Sequence, residues 1–188
     1  NFPDIFGMQY VKAEELAMRG GVLYFDHKFK VCSRHVREII EETNGSKILI
    51  RSTPHYKNSI WQEVNEASKQ ARYASAMPDT VRFIQEKIAT GYSAETRICN
   101  TGLIYYSDIS SALPLAKEVL SSCLKLRQPE CQIFWALHAQ KYNNIIKIID
   151  WKNPAVADIL WKDPYSTVDR KVGRLRRLWY YMKSLIVN

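Results

Sequence analysis

Glycine and proline are scarce, seven of each in 188 residues. No linker rich in either divides the chain, and no low-complexity tract or internal repeat is visible. Residues 1–188 are therefore expected to form a single compact domain, with a possible subdivision near residue 107. Cysteine is scarce as well. Cys32, Cys99, Cys123 and Cys131 make no C-x-x-C pair and no spacing typical of a disulfide framework. That usage suits a reducing, intracellular setting, cytoplasmic or nuclear, with the thiols serving as small core hydrophobes. No apolar run is long enough to span a bilayer, and no basic-then-apolar signal segment opens the chain. The start, Asn1-Phe2-Pro3 without methionine, is what an excised domain or a processed product would show. G-x-S-x-G, P-loop and G-x-G-x-x-G motifs are also missing, so hydrolase, nucleotide and dinucleotide readings find no motif to stand on.

What is present begins with apolar residues, 46% of the chain, enough to exclude a disordered polymer. A domain of this size buries a sizeable core without disulfides or metal. The formal net charge is +8, which favours acidic partners. The excess is concentrated. Residues 162–188 hold seven basic side chains against two acids, a net of +5.

Apolar spacing and breakers predict a mixed order of elements. A short helix is expected over 13–19. Strands at 22–25 and 29–32 would form a hairpin around Asp26-His27-Lys28. Ser33 would cap a helix with Val36, Ile39 and Ile40 on one face, stopping at Gly45. Ile48-Leu49-Ile50 reads as a buried strand. Asn58 opens a helix running to Ala74, and Pro78-Asp79 start another that ends before Gly91. Strands 96–99 and 103–107 would flank a turn at Asn100-Thr101-Gly102. An amphipathic helix follows over 108–126. Residues 131–139 and 145–151 read as two strands, and Ser166 caps a last helix reaching about 183. The expectation is an α/β or α+β fold, a mixed sheet with β-hairpins flanked by helices.

One stretch carries a mechanism: Pro129-Glu130, two expected strands, then Ile149-Asp150-Trp151-Lys152. Residues i and i+2 of a strand share a face, so Asp150 and Lys152 would point together, with Glu130 opening the neighbouring strand. Two carboxylates there would hold a hard divalent cation, Mg²⁺ or Mn²⁺. This stretch resembles the core motif of the PD-(D/E)XK nuclease superfamily over roughly residues 109–185. Glu130 stands where an aspartate is usual, and Asp150 where a glutamate is commoner. The resemblance implies a metal-dependent endonuclease. Glu130 and Asp150 would be its metal ligands, Lys152 would position the attacking water, and Glu118 would be the assisting helical acid.

His27, Cys32 and His35 are three soft or borderline ligands within nine residues, but a tetrahedral zinc site lacks its fourth. The basic C-terminal helix carries an apolar stripe, Val168, Val172, Leu175, Trp179, Met182 and Ile186. Arg170, Lys171, Arg174 and Arg177 lie mostly off that stripe. Such a helix can grip the phosphates of nucleic acid, lie on an anionic membrane surface, or pair with its copy in a homo-oligomer. Two functions follow as expectations. One is a nucleic-acid-interacting domain, in its sharper form a nuclease. The other is a non-catalytic interaction or assembly module, such as a viral or mobile-element accessory domain.

Overall fold

The structure, a computed structural model, describes residues 21–26, 29–53 and 58–159. The helix expected at 13–19, His27 and the whole basic C-terminal helix lie outside the described residues. So do the candidate phosphate contacts Arg170, Lys171, Arg174 and Arg177, and the oligomer stripe Val168, Val172, Leu175, Trp179 and Met182.

Four strands and six helices are described. They are β1 (Val22–Phe25), α1 (Ser33–Thr43), β2 (Ile48–Ser52), α2 (Ile60–Ala67), α3 (Ala71–Ala74), α4 (Met77–Ala89), β3 (Cys99–Tyr106), α5 (Ile109–Leu126), α6 (Cys131–His138) and β4 (Ile146–Ile149). A 3₁₀ turn over Ala139–Tyr142 links α6 to β4. The strand order is β1-β3-β2-β4. β3 runs antiparallel to both β1 and β2, whereas β2 and β4 are parallel. The fold is thus α/β or α+β, a mixed sheet flanked by helices. The three expected hairpins are corrected: β1 pairs with β3, residues 99–106 form one strand, and β4 pairs with β2.

The sheet has helices on one face and a second core on the other. Period-two alternation sends Ile48, Ile50, Ile104 and Tyr106 into a core built with α2, α4, α5 and α6. Leu49, Leu103, Tyr105 and Ile149 enter the opposite core with Phe29, Ile39 of α1, and Ala155, Val156 and Ile159. α1 ends at Asn44 in the left-handed region, followed by Gly45 at φ +83°, the stop that the sequence signals.

Residues 131–138 form a helix where a strand was expected. Ile133 to His138 are all buried, so the segment is apolar on every side and carries no periodic face to read. Glu130 caps it by accepting from the Gln132 amide at 3.2 Å. α6 is wedged between β3, α5 and α2, a place where a fully apolar helix is stable.

Candidate functional site

β1, β2 and β4 end, and β3 begins, at the same end of the sheet. The carboxyl ends of parallel strands are where open α/β sheets bind ligands, because the connecting loops diverge there and leave a crevice. In this chain that rim is polar. Asp26 follows β1, Ser52 and Thr53 close β2, Asn100 and Thr101 open β3, and Asp150 follows β4.

A register shift shapes the rim. Ile50 pairs with Ile104, but the next residue, Arg51, pairs with Asn100, so residues 101–103 of β3 bulge. Bulges of this kind re-aim side chains and gather beside functional sites. Here Thr101 turns toward α6, its hydroxyl 3.1 Å from Cys131 Sγ. Gly102 lies between two carbonyl-type oxygens. A Cβ on it would stand 2.8 Å from Asp26 Oδ2 and 3.0 Å from both Asn100 Oδ1 and the Phe29 ring. The absence of a side chain at Gly102 lets the Asp26 carboxylate and the Asn100 amide converge. The Asp26 amide donates to Gly102 O at 2.8 Å, Tyr24 donates its hydroxyl proton to Asp26 Oδ1 at 2.7 Å, and Gly102 N–H donates to Asn100 Oδ1 at 2.9 Å.

Behind Thr101 and Cys131 lies an acidic interior. Glu130 is 5% and Glu63 4% exposed. Burial first, then the negative charge of Glu63, holds the Glu130 carboxyl above the usual range, against bonds donated by Gln132 and Tyr73. Burial, then Glu130, pushes the Cys131 thiol up to about 12. Gln128 donates to Tyr73 O and Thr80 Oγ1, tying this interior to α3 and α4.

The residues expected from the nuclease resemblance are dispersed over three settings. Glu130 is a helix cap rather than the start of a strand beside β4, since residues 131–138 are helical. Asp150 does end β4, but its Oδ1 accepts from the Lys152 amide at 2.9 Å in a tight turn, and Lys152 Nζ sits 5.4 Å from the Trp151 ring centre. Glu118 of α5 lies at the far end of α6, where its carboxylate accepts from Lys141 at 3.2 Å and Tyr142 at 3.2 Å. His138 Nδ1 is 2.9 Å from Glu118 Oε2, close but not aligned as a hydrogen bond. The eight residues of α6 that separate Glu118's partners from Glu130 span about 12 Å. Among the described residues no group of three or more His, Cys, Asp or Glu is arranged to hold a metal ion. No described helix is long and apolar enough to cross a membrane.

The sequence reading missed Asp26, Asn100 and Glu63. A signal for the first was present: an acid directly after the apolar strand Val-Leu-Tyr-Phe. Asn100-x-Gly102 was read as a turn because glycine has two uses, bending the chain and admitting close neighbours. The second applies here. Compared with protein-family models, characterised proteins and solved structures, the chain shows no significant match.

Proposed function

We propose that this chain is the nucleotide-binding α/β domain of a group-transfer enzyme whose donor is a nucleoside diphosphate bearing a hydroxyl-rich group such as a sugar. The observation that carries this reading is the convergence of Asp26 and Asn100 over Gly102 at the carboxyl rim. A carboxylate at the end of a strand in such a sheet is suited to ribose hydroxyls, and a rim of amide and hydroxyl groups to a polyol. Mg²⁺ or Mn²⁺ fits the same donors, because these hard cations take oxygen ligands and use one or two carboxylates where substrate phosphates complete the shell. Asp26 would hold the cation, which would offset negative charge on the diphosphate. Asn100, fixed by the Gly102 amide, would orient the ligand through its side-chain NH₂.

Titration calorimetry with UDP and GDP, with and without Mn²⁺, tests the proposal. The expected result is metal-dependent binding that Asp26→Asn weakens at least about tenfold, the scale of a lost charge-assisted contact. Absence of binding by either nucleotide with metal would overturn it. The nuclease reading of Glu130, Asp150 and Lys152 makes a separable demand. It requires Mg²⁺- or Mn²⁺-dependent cleavage of DNA or RNA, lost in Asp150→Ala and Lys152→Ala and kept in Asp26→Asn.

A further inference from the structure

Far from Glu130, on the opposite face of the sheet, three groups with the chemistry of an activated nucleophile meet. Cys32 is the N-cap of α1 and the one exposed thiol of the four. Its Sγ lies 3.4 Å from His35 Nδ1. The Cys32 amide donates to the same Nδ1 at 3.2 Å, so that nitrogen is an acceptor, and an Arg34 guanidinium nitrogen lies 3.1 Å from Nε2. Nε2 is 2.9 Å from Oδ1 of Asp158, a residue 123 positions along the chain. Asp158 also pairs with the Arg34 guanidinium, which Glu38 contacts from one turn further along α1. His35 is 5% exposed, so the ring is held while the sulfur faces solvent.

The constellation has the order nucleophile, base, orienting carboxylate that activates thiols elsewhere. It is assembled from two elements, α1 and the segment after β4, and so is more than a cysteine at a helix end. We infer that Cys32 is a site of reversible thiol modification, with His35 Nδ1 receiving its proton and Asp158 holding the ring. The electrophile that fits a small exposed sulfur is a low-molecular-weight disulfide. The Cys32 sulfur attacks one sulfur of that disulfide, a new S–S bond forms and the old one breaks. The other half leaves as a thiolate and takes up a proton. Cys32 is oxidised to the mixed disulfide as the released half is reduced to thiol, and an added thiol reverses the exchange.

The backbone around Cys32 adds a second influence on the thiol. The His35 backbone N–H, with lesser help from the Arg34 amide and charge, holds the Cys32 thiol below its ordinary value, although burial and Asp158 oppose the shift. The other three thiols are buried and raised: Cys99 to about 12, Cys131 to about 12, and Cys123 in the same direction.

The test is the rate of reaction of the whole native chain with the aromatic disulfide DTNB from pH 6 to 8, together with mass spectrometry after oxidised glutathione. One fast thiol per chain is expected, absent in Cys32→Ser, with a rate that falls less steeply from pH 8 to pH 6 than that of an ordinary thiol. An ordinary thiol loses about seventyfold over that range. His35→Gln preserves the capping contact, since glutamine also accepts from the N-cap amide, but lacks a basic nitrogen. It should steepen the profile, leaving the part of the shift that the His35 backbone N–H supplies. Arg34→Met, at a half-exposed position that leaves the helix intact, should slow the pH 6 rate several-fold. An ordinary pH profile in the wild type, an unchanged profile in His35→Gln, or a fast phase surviving in Cys32→Ser would each overturn the inference.

Discussion

The two ends of α6 place the same side chain in opposite settings. At its C-terminal end Glu118 is about one-third exposed and met by Lys141 and Tyr142. Burial opposes its ionisation, yet the Lys141 hydrogen bond, the neighbouring positive charges and the Tyr142 hydroxyl together hold its carboxyl below the usual range. At the N-terminal end Glu130 is buried and faces another acid, and its carboxyl is raised. Two glutamates twelve positions apart are thus tuned in opposite directions by which neighbours the fold supplies. The compensated end is a surface ion-pair network of the kind that adds little. The buried end, where Gln132 and Tyr73 donate but a second acid faces Glu130, costs stability, and such costs concentrate where chemistry or recognition needs them.

The comparison is broken most completely by removing the helix that carries it. Phe134 is fully buried, and its ring meets Phe83 edge-on at 5.8 Å. Phe134→Ala should cost about 3–5 kcal/mol, and each kcal/mol lowers Tm by about 2–4 °C in a domain of this size. Calorimetric melting measures it. Next in size is Glu130→Gln. A carboxyl raised in the folded state destabilises the fold above that raised value and ceases to do so as pH falls through it toward the unfolded value. The variant should therefore melt higher than wild type at pH 8 and lose that advantage by pH 4. Glu63→Gln should shrink the same difference by removing the facing charge. Tm profiles across pH 4–8 decide both. The smallest effect belongs to Glu118→Gln. Its depressed carboxyl contributes stability above the unfolded value and loses it as pH falls through the folded one. The expected change at neutral pH is within about 1 kcal/mol, vanishing under acid.

Elements with a distinct period or terminal signals were legible. The buried run Ile48-Leu49-Ile50, the helix from Ser33, although Cys32 rather than Ser33 is its cap, and the amphipathic helix starting after Asp108 all stand where sequence placed them. α6 was not legible, because a segment buried all round carries no periodicity to distinguish helix from strand. That misreading carried into the site. A strand at 131–139 would have put Glu130 beside Asp150, whereas the helix turns Glu130 toward Tyr73 and Glu63. The Asn100–Gly102 bulge was illegible for another reason. It depends on Asp26, more than seventy residues away, and no local pattern encodes a long-range close approach. The Cys32–His35 pair was visible as spacing, but Asp158 was not part of that reading.

The parallel β2–β4 ladder joins residues nearly a hundred positions apart, Ile48 with Ile146 and Arg51 with Ile149. On a growing chain, β2 therefore waits for almost the whole described sequence to be made before one of its edges is covered. The core over Leu49 waits longer still, until Ala155, Val156 and Ile159 arrive. Loop closure over such distances is slow, and an open strand edge is a template for the wrong partner. A chain cut before residue 146 would leave that edge bare. Such a fragment should be more prone to aggregate than the full chain, even with the rim residues from Asp26 to Thr101 present.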